Sequence, residues 1–70
     1  MIRLPVVSSN LASVGYSALD SVLEIEFHSG GVYQCYAVPE SIYLELIVAP
    51  SKGTYFHEAI RDVFRYKKMR

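Results

Sequence analysis

Val22-Leu-Glu-Ile-Glu-Phe-His-Ser-Gly-Gly-Val-Tyr-Gln-Cys-Tyr36 is the stretch of this chain that decides its fold. Leu23, Ile25 and Phe27 alternate with Glu24, Glu26 and His28. A period of two belongs to a half-buried strand, so the apolar set is expected to turn to a core and the polar set to water. Ser29-Gly30-Gly31 then supplies the positive φ angles of a tight hairpin. Val32 to Tyr36 returns as the next strand, rich in β-branched and aromatic residues.

Upstream of this hairpin, Leu11-Ala-Ser-Val-Gly-Tyr16 reads as a strand with Ala12, Val14 and Tyr16 on one face and Leu11 and Ser13 on the other. Gly15 marks a bulge or a close backbone approach. Downstream, Pro39 closes the strand run and suits a first helical turn, where its missing N–H is not needed. The helix is expected to run to about Val48, with Ile42, Leu46 and Ala49 on one stripe and Tyr43 and Ile47 on its shoulder. Pro50 ends it. Ser51 or Thr54 then caps a second helix over Tyr55 to Asp62, with Phe56 and Ile60 on one face and Tyr55, Ala59 and Val63 beside them. The tail from Phe64 to Arg70 alternates again, as a short strand or an extended arm. This order predicts an α+β fold. The antiparallel sheet has three strands, or four if the tail pairs, and two helices cover one face.

Seventy residues make one domain, which shields only about 60% of its unfolded surface. An apolar fraction of 51% with 20% charged residues describes a globular chain that offsets its small size with core rather than covalent staples. The lone Cys35 forms no internal disulfide, and His28 and His57 are too distant in sequence to be assumed a shared metal site. A cytoplasmic location, no metal and no cofactor are the expectations. Pro5 and Ser8-Ser9-Asn10 interrupt the N-terminal apolar stretch, and no later run approaches the ~20 apolar residues of a membrane span. No membrane partner is expected. Seven basic residues balance seven acidic ones, but unevenly along the chain. Residues 1–51 hold one basic and five acidic groups, whereas 52–70 hold six basic and two acidic. That split suits an anionic partner, or a fold whose basic end lies against an acidic sheet.

A family resemblance emerges from the strings Ser8-Ser9-Asn10, Val14-Gly15-Tyr16, Leu23 to Phe27, Ser29 to Tyr33, Val38-Pro39, and above all Ala49-Pro-Ser-Lys-Gly-Thr-Tyr-Phe56 with Ile60-Arg61. In this order and spacing they resemble the KTSC domain from about Val7 to Lys68. That small family is named for the C-terminal region of some lysyl-tRNA synthetases and also occurs as free-standing bacterial and phage proteins. The resemblance implies a nucleic-acid-binding or interaction module without catalytic activity. Cys35 stands where similar sequences often carry an aromatic residue, and Phe64-Arg65-Tyr66 where a Tyr-Pro-Tyr-like string is common.

Two segments are candidate contact surfaces. In Ser51-Lys52-Gly53-Thr54-Tyr55 a glycine-containing turn runs into a helix N-terminus, so Lys52, the Gly53 and Thr54 backbone and the Thr54 hydroxyl could converge on a phosphate. Ordinary helix capping needs the same residue types, and the spacing is not that of a P-loop. Arg61, Arg65, Lys67 and Lys68 are interleaved with Tyr55 and Tyr66, and cations that hold phosphates beside rings that stack on bases suit single-stranded nucleic acid. The alternative is a solvated face with a solubilising tail. The resemblance to a synthetase region implies RNA rather than duplex DNA as the partner, with a protein partner or self-association at a sheet edge or aromatic patch as the other reading. Ser8, Ser9, Cys35, His28 and His57 nominally supply a nucleophile and a base, but at no diagnostic spacing. A small enzyme would need a concave pocket that collects them, and none of them is assigned a catalytic role.

Overall fold

In the computed structural model, which describes residues 1–70, the alternating stretch lies at the centre of a five-stranded antiparallel sheet. The strands are β1 (Leu4–Pro5), β2 (Leu11–Ser17), β3 (Val22–Phe27), β4 (Val32–Cys35) and β5 (Tyr66–Lys68). Helices α1 (Glu40–Val48) and α2 (Lys52–Ala59) intervene between β4 and β5. The spatial order is the chain order, β1-β2-β3-β4-β5. The α+β class and the single helix-covered face are as expected from the sequence. The strand count is higher, because both ends of the chain pair. The tail adds at β4, with Tyr33, Gln34 and Cys35 opposite Lys68, Lys67 and Tyr66. At the other edge, Leu4 and Pro5 lie opposite Val14 and Ser13. Pro5 is tolerated there because an edge strand leaves N–H groups unused.

The β2–β3 register shifts between Leu11 and Ser13, so Ala12 is an extra residue in the ladder. This bulge sits at Ala12 and not at Gly15, and it inverts the alternation before it. Leu11 consequently joins Val14 in the core, in place of the expected grouping of Ala12 with Val14 and Tyr16. Gly15 instead provides a close backbone approach: a Cβ built there would lie 2.6 Å from the Ile2 carbonyl oxygen and 3.3 Å from Arg3 Cα. Gly15→Ala should therefore push the N-terminal segment off the sheet and lower stability by about 1–3 kcal/mol. Urea denaturation, with loss of amide protection confined to residues 2–6, checks this.

The core is Leu11, Val14, Leu23, Ile25, Cys35, Val38, Leu46 and Ile60, between the sheet and the helices. Leu46 is the buried side chain of α1, flanked by the half-buried Ile42 and Tyr43, while Ile47 is exposed rather than packed. Tyr43 stacks on Tyr16 of β2 at 5.1 Å between centroids, and the Tyr16 hydroxyl donates to the Val38 carbonyl. Pro39 lies one residue outside α1, as its extended N-cap. α2 starts at Lys52 rather than Tyr55, because Ser51 is the cap, and it stops at Ala59 rather than Asp62. Ile60 leaves helical geometry and Asp62 adopts a φ of 62°. Val63 is consequently exposed instead of packed beside the helix.

The opposite sheet face is polar but not simply hydrated. Glu24, expected in water, is only 8% exposed. Arg3 donates to Glu24 and, through Nε, to Ser13 Oγ at 3.0 Å. Ser13 donates to Glu26 at 2.8 Å, Gln34 to Glu24 at 2.8 Å and Arg70 to Glu26 at 3.2 Å. One network thus crosses the sheet and joins the segments at its two edges. No helix is long and apolar enough to cross a membrane.

Candidate functional site

The β3–β4 and β4–β5 registers place Ile25, Tyr33 and Lys68 in one cross-strand row, and Leu23, Cys35 and Tyr66 in the next. Directly paired residues share a face, so Tyr33, Tyr66 and Lys68 all belong to the side that carries the core. Phe27, two residues beyond Ile25, belongs there as well. Above them lies α2, with Phe56 and, just past its end, Ile60 packed against the core. Between α2 and this end of the sheet a cleft of about 550 Å³ opens. Gly53, His57 and Arg61, spaced four residues apart along α2 and its exit, line one wall. The hairpin residues Phe27, His28, Ser29 and Tyr33 line another, with Tyr66 from β5. Ser9 and Asn10 before β2, and Asp62 and Phe64 after α2, complete it.

Four aromatic rings run through this cleft as a ladder. Phe56 meets Phe27 edge-on at 5.3 Å, Phe27 meets Tyr33 edge-on at 5.6 Å, and Tyr33 meets Tyr66 at 5.8 Å. These separations fall within the range of favourable ring pairs. The ladder begins on α2 and ends on the edge strand with the Tyr66 ring, which is 58% exposed.

Of the residues singled out in the sequence, Gly53, Arg61 and Tyr66 line this cleft. Lys52, Thr54 and Tyr55 are engaged elsewhere. Lys52 Nζ donates to the Ala49 carbonyl at 3.2 Å, and the Thr54 N–H and hydroxyl both meet Ser51 Oγ. The Ser51 to Thr54 turn therefore acts as a helix cap, its side chains satisfied within the chain. The Tyr55 hydroxyl donates to Glu45 at 3.3 Å. Burial and the Glu45 carboxylate push its ionisation up, so the phenol keeps its proton. Arg65, Lys67 and Lys68 are exposed. Lys68 shares the Tyr33 row, whereas Lys67 pairs with Gln34 on the opposite, polar face.

The sheet carboxylates draw their cations from Arg3 and Arg70, which form all the ion pairs of the fold. Arg61, Arg65, Lys67 and Lys68 are left without a carboxylate partner. The basic end of the chain is thus not consumed by the acidic sheet, Arg70 apart.

The cleft also gathers Ser9, His28, Ser29, Cys35 and His57, the collection a catalytic reading requires. No hydrogen bond of the fold joins a hydroxyl or thiol of this set to either histidine ring. His28 Nε2 lies 2.9 Å from the Ser8 carbonyl oxygen, which ties the hairpin to the segment before β2. Burial pushes the Cys35 thiol up to about 11, so it stays protonated at neutral pH. Asn10, Phe27, Tyr33, Asp62 and Phe64 were not foreseen as site residues. The four-residue spacing of Gly53, His57 and Arg61 was the legible signal. The positive φ at Asp62 had none.

The chain has relatives in both sequence and fold. The KTSC domain matches residues 7–64. A stretch of 54 residues, 77% of the chain, is 43% identical to a lysine–tRNA ligase of Trichormus variabilis. The chain spans only 10% of that ligase's length. An uncharacterized protein of Stutzerimonas stutzeri is 38% identical over 67 residues, 94% of each chain. Among solved structures, a KTSC domain protein from Yersinia pestis superposes with a TM-score of 0.96 at 38% identity, covering 99% of this chain and 97% of that one. With sequence and fold matched over nearly its whole length, the chain belongs to the KTSC domain family.

Proposed function

We propose that this domain is a non-enzymatic module that binds single-stranded nucleic acid, RNA in preference to duplex DNA, along the aromatic cleft and the β5 edge. The observation that carries the reading is the ring ladder ending on exposed Tyr66 beside cations that have no carboxylate partner. Exposed rings stack on unpaired bases, and cations along an edge hold the connecting phosphates. Tyr66 is the stacking ring, and Arg61 and Lys68 are the phosphate contacts; Arg65, between the cleft-lining Phe64 and Tyr66, turns to the other face. Lys67 is left out because its register turns it to the other face. The segment this chain matches in T. variabilis lies within a lysine–tRNA ligase, which weights the choice toward RNA.

Fluorescence anisotropy with a labelled single-stranded RNA tests the proposal. With two phosphates neutralised, affinity should fall about sevenfold between 50 and 200 mM salt. Tyr66→Ala should weaken binding by about 1–3 kcal/mol, and Lys67→Ala by much less than Arg61→Ala. Binding that is undetectable at low salt, or indifferent to salt, ends this reading.

A further inference from the structure

We infer that the cleft takes a single nucleotide, its base against the aromatic ladder and its phosphate at Arg61 and His57. The inference rests on the nucleic-acid reading above and adds to it a specific site and ligand unit. The cleft is half open to solvent, and its volume of about 550 Å³ is of the size of small-molecule sites, roughly 300–1,000 Å³. It exceeds the needs of a bare anion. The Phe56–Phe27–Tyr33–Tyr66 ladder gives one part of the cleft an aromatic lining that suits a planar ring. The rest is polar and carries Arg61, whose guanidinium has no ion-pair partner. A ligand with a flat aromatic half and an anionic half meets both demands at once.

Two further side chains sharpen the assignment. Asn10 packs against the helix where α2 has no side chain of its own: a Cβ at Gly53 would lie 2.9 Å from Asn10 Nδ2. That amide offers a donor and an acceptor side by side, the pattern that pairs with a base edge. Asp62 is the one carboxylate in the lining. It repels a phosphate placed beside it, so the phosphate belongs at the His57 side of Arg61 and a ribose hydroxyl at Asp62.

A free nucleotide and one nucleotide of a strand share this chemistry. The ¹⁵N-labelled domain is titrated with adenosine 5′-monophosphate for the first source and a short single-stranded RNA for the second, with adenosine and inorganic phosphate as the two halves. The amides of Gly53, His57 and Arg61 should move with the nucleotide, and each half alone should bind about tenfold more weakly. Arg61→Ala should lower nucleotide affinity about tenfold while leaving adenosine unaffected. Movement of these amides with RNA only, lost in Arg61→Ala, assigns the site to a strand-borne nucleotide. If RNA moves Arg61, Tyr66 and Lys68 but no ligand moves Gly53 or His57, the inference fails and the proposed function stands. Undiminished nucleotide binding by Arg61→Ala also overturns it. Silence toward every ligand removes both.

Discussion

Leu46→Ala is expected to lower the free energy of unfolding by about 3 kcal/mol, read from the midpoint shift of a urea transition. Leu46 has no exposed surface and is the buried side chain of α1. Its removal takes away apolar burial and leaves a void between helix and sheet that the close-packed neighbours fill only in part. For a domain of this length the whole stability is roughly 4–10 kcal/mol. The variant should therefore melt far below the parent and lose amide protection first in α1. Leu44→Ala is the control on the same helix. Leu44 is 49% exposed, so its loss should change stability by no more than about 0.5 kcal/mol.

Arg3→Ala should have a comparable effect, about 3 kcal/mol, for an electrostatic reason. Burial pushes the Glu24 carboxyl up, but the Gln34 amide and Arg3, through a hydrogen bond and its charge, outweigh that and hold it below its ordinary value. Without Arg3 the carboxylate stays buried and loses its cation. A carboxyl whose folded-state pKa is depressed stabilises the fold above its unfolded value. That stability fades as pH falls from about 4.5 through the lower folded value. In Arg3→Ala the burial effect is no longer outweighed by the cation, so acid relieves the defect. The gap between variant and parent should accordingly narrow below pH 4.5. Glu24→Gln in the Arg3→Ala background should recover much of the loss, because a neutral amide needs no cation. A gap that is constant from pH 7 to pH 3 would mean that Arg3 acts through packing rather than charge.

These effects show where sequence reading succeeds and where it stops. The β3–β4 hairpin was legible because Leu23, Ile25 and Phe27 alternate without interruption and Gly30, at a φ of 104°, sits in the turn. The faces of β2 were misread because a bulge at Ala12 leaves no local mark, yet it reverses every side chain before it. β1 was invisible. Two residues, one of them proline, have no periodicity, and their pairing is set by Gly15 on the neighbouring strand. α2 starts earlier than expected because Ser51, rather than Thr54, is the cap of the two that the sequence offers.

The site followed the same rule. Arg61 and Tyr66 could be singled out as types in a basic, aromatic tail, but their meeting depends on β5 docking beside β4. The other walls come from His28, Ser29 and Asn10, far away in sequence. Lys52 and Thr54 carry the chemistry of an anion site and Tyr55 that of a stacking ring, and in the fold they bond to Ala49, Ser51 and Glu45. Residue type is local information. Availability depends on what a side chain touches.

The central claim, that the aromatic cleft and β5 edge form the contact surface, is tested most directly by a chemical-shift map of the domain titrated with single-stranded RNA at low salt. Gly53, His57, Arg61, Tyr66 and Lys68 should move, with Leu44, Ile47 and Val48 on the outer side of α1 unmoved. A flat response, or movement confined to α1, would contradict it.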